Sequence, residues 1–449
     1  MKNLSLSQIA HHLSLPHPSQ RPILSFSIDS RKVEPGALFF ALPGAKVDGH
    51  EFLEEAAKRG AIAAIVSKQY RGSDYGLDLL AVEDVRQTLQ TLGCIAAEQR
   101  KGLRIALTGS VGKTTTKEFL ASILKQRFST QYTEGNANSQ LSFPLFWLNL
   151  DRDYEVFVLE MGMWHEGEIR RLVEISPPDI ALLTAIAPAH LGFFSDGLEG
   201  IARAKSEIFS HPRTQMALVS SQAFAFKQVK EALKVIAQTW VYGEGGDFLI
   251  KTEQEGIVIE EKRAGLFSPI MQTGLKAAHL LENLLAAVTV ARLLGMKWEE
   301  IALAVPQLRP APLRYEIEER EGVTFVKDCY NANPLTMRLA LLNLPKPQKG
   351  GRRLAVLGTM TELGRDSALY HKEVGEIALG CIDELFCIGE ESLTFCEVFQ
   401  KQKRQATHFA DLSSLKERLF KVAKPGDVVL IKGSNFLKLW QVLDAPLLS

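Results

Sequence analysis

From about residue 101 onward, short apolar runs alternate with segments of helical periodicity. Val156-Phe-Val-Leu159, Ile180-Ala-Leu-Leu183 and Met216-Ala-Leu-Val219 are continuously apolar, as expected of strands buried on both faces of a parallel sheet. Leu103-Arg-Ile-Ala-Leu107 reads as a further strand, and Lys117-Glu-Phe-Leu-Ala-Ser-Ile-Leu124 has helical spacing. Strand and helix in alternation imply a doubly wound sheet. A long helix, about Leu275 to Leu294, closes this block, and the Pro-rich Pro306-Gln-Leu-Arg-Pro-Ala-Pro312 reads as a linker. Beyond it, strand candidates Val323–Val326, Leu354–Leu357, Glu384–Ile388 and Val428–Ile431 predict a third α/β block. Residues before the polar Glu98-Gln-Arg-Lys-Gly102 mix short strands and helices. The expected architecture is therefore α/β with three domains, at 1–100, 101–310 and 311–449, without internal repeats or low-complexity tracts.

A composition of 46% hydrophobic and 23% charged residues over 449 positions suits several large cores. Lys+Arg and Asp+Glu balance at 52 each, so no global field recruits nucleic acid or an acidic membrane. Cys94, Cys329, Cys381, Cys387 and Cys396 contain no C-x-x-C pair, and their odd number argues against a disulfide framework. A reducing cytoplasm is expected. Met-Lys-Asn-Leu-Ser-Leu-Ser-Gln at the start lacks an apolar signal core. The apolar stretch around Leu284–Leu294 is too short to span a bilayer and includes Thr289 and Arg292, so membrane insertion is not expected.

Candidate chemistry concentrates where strands end. Leu107-Thr-Gly-Ser-Val-Gly-Lys-Thr-Thr-Thr116 joins a strand to a helix through Gly109 and Gly112, with Lys113 at the helix start. This is a P-loop arrangement in a short form, Gly-x-x-Gly-Lys-Thr, with Leu107 where the longer pattern has glycine. Backbone N–H groups of such a turn converge on phosphate, Lys113 supplies a point charge, and the Thr114 hydroxyl suits Mg²⁺. Glu160 directly follows the strand Val156–Leu159, and His190 follows Ile180–Ile186. In parallel strands, Thr114, Glu160 and His190 share one rim, where carboxylate, imidazole and hydroxyl suit a divalent cation beside a triphosphate. Glu160 also fits an N-cap or ion pair, and a loop histidine such as His190 fits simple solvation.

Lys205 lies on the apolar stripe of Ile201-Ala-Arg-Ala-Lys-Ser-Glu-Ile-Phe209, four after Ile201 and three before Ile208. Two readings stand: a snorkelling or ion-paired stem, or an inward amine with altered chemistry. Thr133-Glu-Gly-Asn-Ala-Asn138 reads as a polar loop. Asp328-Cys-Tyr-Asn-Ala-Asn-Pro334 ends a strand before a helix that Asn331 or Asn333 suits as cap. Capping does not account for Asp328 and Tyr330, whereas a nucleotide or peptide site does.

Taken in order, these segments resemble the motifs of the Mur ligases, ATP-dependent amide-forming enzymes of peptidoglycan precursor synthesis. Thr108-Gly-Ser-Val-Gly-Lys-Thr-Thr115, Gly135-Asn-Ala-Asn138, Glu160-Met-Gly162, His190-Leu191 and Ala204-Lys-Ser-Glu-Ile-Phe209 are similar to the family's central-domain motifs. Asp328-x-Tyr-Asn-Ala-Asn-Pro334 and Val356-Leu-Gly-x-Met-x-Glu-Leu-Gly364 resemble its MurF type, and Asp29-Ser-Arg31, Pro35–Phe39 and Asp48-Gly-His50 a UDP-sugar domain.

The resemblance implies an N-terminal domain for the UDP part of a UDP-MurNAc-tripeptide, a central P-loop ATPase-like domain and a Rossmann-like C-terminal domain. UDP contacts would come from Ser30, Arg31 and the Gly44–His50 loop with Gly44, Asp48, Gly49 and His50. ATP would lie against Thr108, Gly109, Ser110, Val111, Gly112, Lys113, Thr114 and Thr115. His279 and Asn283 would be near adenine, with Asp328 and Asn331 near the nucleoside. Lys113, Lys205, His190 and Arg314 would be catalytic, and Tyr330 and Asn333 would serve the D-Ala-D-Ala or closure side. Thr114, Glu160, His190 and Lys205, the last as a carbamate, would hold two Mg²⁺ ions. The protein would be a cytoplasmic bacterial monomer without nucleic-acid partners. Ser139, Ser142, Leu280 and Asn435 depart from the family pattern. The competing expectations are a MurE-type ligase, whose Asp-Asn-Pro-Arg motif is absent here, and a non-catalytic nucleotide-binding regulator.

Overall fold

The computed structural model describes residues 1–44 and 47–444. Three sheets follow one another along the chain, with helices packed on their faces. The first has four parallel strands, Ser25–Ser27, Ala37–Phe40, Ala63–Ser67 and Asp78–Val82, side by side in chain order. Its two faces differ in partner. One packs on a separate small cluster around Phe39, Leu53 and Val66, and the other joins the central domain through Phe40, Leu89 and Trp147.

The central sheet has nine strands. Leu103–Thr108 lies between Val156–Glu160 and Ile180–Leu183, all parallel, so their carboxyl ends form one rim. Helix Lys113–Leu124 springs from that rim and packs along helix Ala278–Leu293. The second helix is shorter than its apolar run suggests, because Ala277 takes an extended backbone with ψ 131 and acts as its N-cap. Sequence patterning missed the antiparallel extension Phe248–Glu253, Gly256–Glu261 and Leu266–Phe267. Phe248–Glu253 and Gly256–Glu261 hold three consecutive apolar residues before partly exposed, charged ends, and Leu266–Phe267 is two residues long, so none offers a long apolar run.

In the third sheet, Val323–Lys327, Val428–Lys432, Arg353–Gly358, Glu384–Ile388 and Gln405–Phe409 are parallel, with Glu316–Arg320 antiparallel at the edge. The Pro-rich segment expected as a linker is instead packed. Val305–Gln307 forms a 3₁₀ turn, and Leu308 and Ala311 are buried. One apolar core runs from helix Lys113–Leu124 through Leu308 and Tyr315 into Met337 and Leu341, joining central and C-terminal layers. No helix among the described residues is long and apolar enough to cross a membrane.

Candidate functional site

The turn after Leu103–Thr108 is built to receive an anion. Gly109 passes so close to Thr184 that a Cβ there would lie 1.9 Å from its Oγ1. Gly112 takes φ +83, and a Cβ would meet Asn283 Oδ1 at 2.4 Å. Thr184 Oγ1 donates to the Val111 carbonyl at 2.6 Å, fixing the loop from the neighbouring strand. Ser110 is likewise tied down, its N–H donating to Ala185 O at 2.7 Å. The N–H groups from Val111 to Thr115 bond no other backbone group outside the helix among the described residues. Orphan donors at a helix start, with the dipole behind them, form an anion cradle.

Lys113 Nζ donates to Gly109 O at 2.7 Å, folding over the loop. Burial lowers its pKa, opposed by the nearby Glu160 charge. Thr114 donates its hydroxyl to Glu160 Oε2 at 3.0 Å and accepts from Arg314 at 3.0 Å. Arg314 also stacks over the Tyr330 ring at 4.1 Å. Its flanking residues Leu313 and Tyr315 both adopt left-handed backbone, φ +61 and +59, a strained arrangement that points to function.

Glu160 is buried. Its Oε1 accepts from Asn138 Nδ2 at 2.7 Å, and Lys117 Nζ lies 3.2 Å from Oε2. Burial would raise its pKa, but Lys117, Lys113 and Arg314 outweigh that and hold the carboxyl below its ordinary range. Lys117 is a functional candidate that sequence reasoning missed. It follows Lys113 by four residues and so shares its helix face, which was the available signal.

Lys205 is 1% exposed on helix Leu198–Ser206, and its amine has neither ion pair nor hydrogen bond among the described residues. Burial drives its pKa well below the ordinary lysine value, with repulsion from Lys113 adding to the effect. The ion-paired reading therefore fails among the described residues, and 1% exposure argues against a snorkelling stem. His190, also left-handed at φ +61, pairs through Nδ1 with Glu362 of the C-terminal domain. Burial lowers the His190 pKa, against the opposing pull of Glu362.

One cleft of about 1300 Å³ gathers most of the expected residues. Ser110 to Thr115, Glu160 and His190 line its central wall, while His279 and Asn283 come from the long helix. Arg314, Asp328, Tyr330, Asn331 and Asn333 line the opposite wall. Thr108 and Gly109 lie behind the loop rather than on the cleft surface. His279 is kept neutral by burial, its pKa pushed down to about 4, and its ring meets Tyr315 edge-on. Asn283 Oδ1 accepts from Thr116 at 3.3 Å.

Asp328 Oδ2 lies 2.7 Å from the buried Lys432, which also donates to the Asp328 and Asn331 carbonyls at 3.1 Å. Lys432 thus anchors the whole Asp328–Asn333 loop. Asn333 caps helix Pro334–Leu342, accepting from the Thr336 N–H at 2.9 Å. The alternative cap, Asn331, does not reach the helix; its side chain accepts from Ala332 N–H. Asn333→Ala is expected to cost about 1 kcal/mol of stability through the lost cap, measurable as a lower thermal midpoint.

The residues expected to contact UDP stand apart from this cleft. Ser30 donates to Glu55 at 2.7 Å, and Arg31 grips Asp29 through Nε and Nη2 at 2.9 Å. Asp48 accepts from the His50 N–H at 3.1 Å, opening the turn Gly49–Phe52. His50 Nε2 in turn accepts from the Ser67 N–H at 2.9 Å. Gly44 packs against the Val47 carbonyl. Ala45 and Lys46, also within the expected Gly44–His50 contact loop, lie outside the described residues.

An amide-lined phosphate cradle, a buried carboxylate and a facing wall that presents Arg314 define an α/β protein built to handle a phosphorylated ligand between domains. The chain belongs to the Mur ligase family. Three family models match: "Mur ligase family, catalytic domain" over residues 23–96, "Mur ligase middle domain" over 107–291 and "Mur ligase, glutamate ligase domain" over 313–435. A UDP-N-acetylmuramoyl-tripeptide–D-alanyl-D-alanine ligase from Synechocystis is 33% identical over 93% of this chain and 90% of its own. The crystal structure of MurF from Acinetobacter baumannii matches with TM-score 0.85 at 31% identity, covering 98% of each chain. MurF ligase from Thermotoga maritima in complex with ADP matches with TM-score 0.77 at 31% identity, over 94% of this chain and 96% of that one.

Proposed function

We propose that this chain is a ligase of the MurF type, joining D-alanyl-D-alanine to UDP-N-acetylmuramoyl-tripeptide at the expense of ATP. The observation that carries this reading is the convergence of the P-loop, Glu160, His190 and Arg314 on one cleft closed by the Asp328–Asn333 loop. The likeness to named D-alanyl-D-alanine ligases along nearly the whole chain supports it. In the reaction, a substrate carboxylate attacks the γ-phosphorus and ADP leaves, giving an acyl phosphate. The amine of D-Ala-D-Ala then attacks the acyl carbon, loses a proton and expels phosphate.

Each step sets demands that these residues meet. Carboxylate and triphosphate repel one another, and Lys113, the free loop amides and Arg314 offset that repulsion. The acyl phosphate is open to hydrolysis, so walls from two domains must exclude water while the amine attacks. Residues 1–100 are assigned to the UDP part, 101–310 to ATP and 311–449 to closure and the acceptor. Asp328 and Asn331 serve the nucleoside side, with His279 and Asn283 near the base. Tyr330 and Asn333 serve the dipeptide side.

The donor set also fits Mg²⁺. A buried carboxylate and a hydroxyl 3.0 Å apart, Glu160 and Thr114, are hard oxygen ligands, and His190 lines the same cleft. No cluster of three or more His, Cys, Asp or Glu gathers among the described residues, so the carboxylate and imidazole alone would leave most of any Mg²⁺ shell to other oxygens, from nucleotide, water or carbamate. When bound, Mg²⁺ supplies charge neutralisation at the phosphates. Lys205, buried without a partner among the described residues, is assigned as a carbamate that adds a negative oxygen donor. The protein is assigned to the bacterial cytoplasm as a monomer.

Phosphate release by the purified protein tests the reading. Release is expected with ATP, Mg²⁺, a UDP-linked tripeptide carrying meso-diaminopimelate or lysine, and D-Ala-D-Ala together. Omission of the dipeptide should suppress turnover. A rate indifferent to both amide substrates would favour a nucleotide-binding regulator, and a rate driven by a free diamino acid would favour the MurE type.

A further inference from the structure

Glu362 stands in the C-terminal domain, 172 residues from His190, yet its carboxylate meets the His190 Nδ1. The contact is built on both sides. Gly192 N–H donates to the Glu362 carbonyl at 3.1 Å, and a Cβ on Gly364 would lie 3.0 Å from Gly192 Cα. The two loops therefore run backbone against backbone, with no room for a side chain between them. His190 and Glu362 are both left-handed, φ +61 and +66. Non-glycine residues hold such conformations when their surroundings over-determine them.

The Glu362 loop is also fixed on its own domain. Met360 N–H donates to the buried His371 Nε2 at 3.0 Å, and Thr361 N–H donates to Ser434 Oγ at 3.1 Å. Its carboxylate is thus presented by a rigid loop. A carboxylate only accepts, so the imidazole nitrogen facing it must carry the proton. His190 then holds its proton on Nδ1 and keeps the Nε2 lone pair free. An imidazole ligand usually has such an outer partner, which fixes its tautomer and raises its basicity.

We propose that Glu362 is a positioning residue that fixes His190 in its Nδ1–H form from across the domain boundary, making Nε2 the ligating nitrogen. The cation site is then finished only when the C-terminal domain lies against the central one. This rests on the metal role assigned to His190 above.

The test uses the full chain with a nonhydrolysable ATP analogue, titrated with Mn²⁺ and followed by electron paramagnetic resonance. Nitrogen-15 NMR reports the His190 tautomer without metal. Glu362→Asn removes the reach while keeping a residue type that tolerates left-handed backbone. Glu362→Gln keeps an acceptor oxygen but not the charge. His190→Ala and Glu362→Asn should each weaken Mn²⁺ binding about 10–100-fold. Glu362→Gln should weaken it less and preserve the Nδ1–H signal, which Glu362→Asn should lose. Normal Mn²⁺ binding in Glu362→Asn beside weakened binding in His190→Ala overturns the role of Glu362 and leaves the metal reading standing. Unchanged binding in His190→Ala overturns both, and an Nε2-protonated His190 in the unaltered protein overturns the proposal.

Discussion

Lys113→Ala is expected to lower phosphate release by about 10³-fold or more, with near-normal melting. The amine folds onto Gly109 O at 2.7 Å, at the centre of a loop whose free amides already point outward. Its removal deletes the lysine charge that folds over the cradle. The charge that grows on the transferred phosphoryl oxygens then loses one of the positive groups that would offset it. The fold loses a single hydrogen bond to a loop carbonyl, worth about 1 kcal/mol. Steady-state kinetics and thermal denaturation on the same preparation separate the two effects. Near-normal turnover in the variant would remove the phosphate assignment.

Lys205→Ala is expected to be inactive at a similar level, and partly restored by formate or acetate. A lysine 1% exposed, without an acidic partner among the described residues, favours its neutral amine. That form adds carbon dioxide, forming an N–C bond and releasing one proton, to leave a carbamate anion. Truncation empties the place of that anion, which a small carboxylate can enter. Mass spectrometry of the intact protein does not serve, because carbamates are lost on acidification. Full activity without added acid would exclude the carbamate, and inactivity at every acid concentration would leave Lys205 a packing residue.

The P-loop, Glu160 and His190 were legible because parallel strands put their carboxyl ends on one rim, and apolar runs mark such strands clearly. Helical spacing likewise placed Lys205 inward. A cap just before Pro334 followed from the proline, whereas the choice between Asn331 and Asn333 needed backbone geometry. Lys117 escaped because a lysine early in a helix is ordinarily solvated, and only its ion pair with Glu160 gives it meaning. The His190–Glu362 contact leaves no periodic trace, since its partners are 172 residues apart and meet through loops. Phe248–Glu253 and its neighbours escaped for a different reason, their half-exposed faces carrying too many charges to stand out.

Arg314 holds the same Thr114 hydroxyl that an arriving nucleotide complex would claim. Ligand entry and the grip of the interdomain connector are therefore reciprocally linked, by the same free energy in both directions. A shortened side chain at this position would loosen that grip and also take a cation from the wall facing the phosphate cradle, slowing the chemistry. Poorer turnover together with a looser connector is then what the loss of this arginine should leave behind.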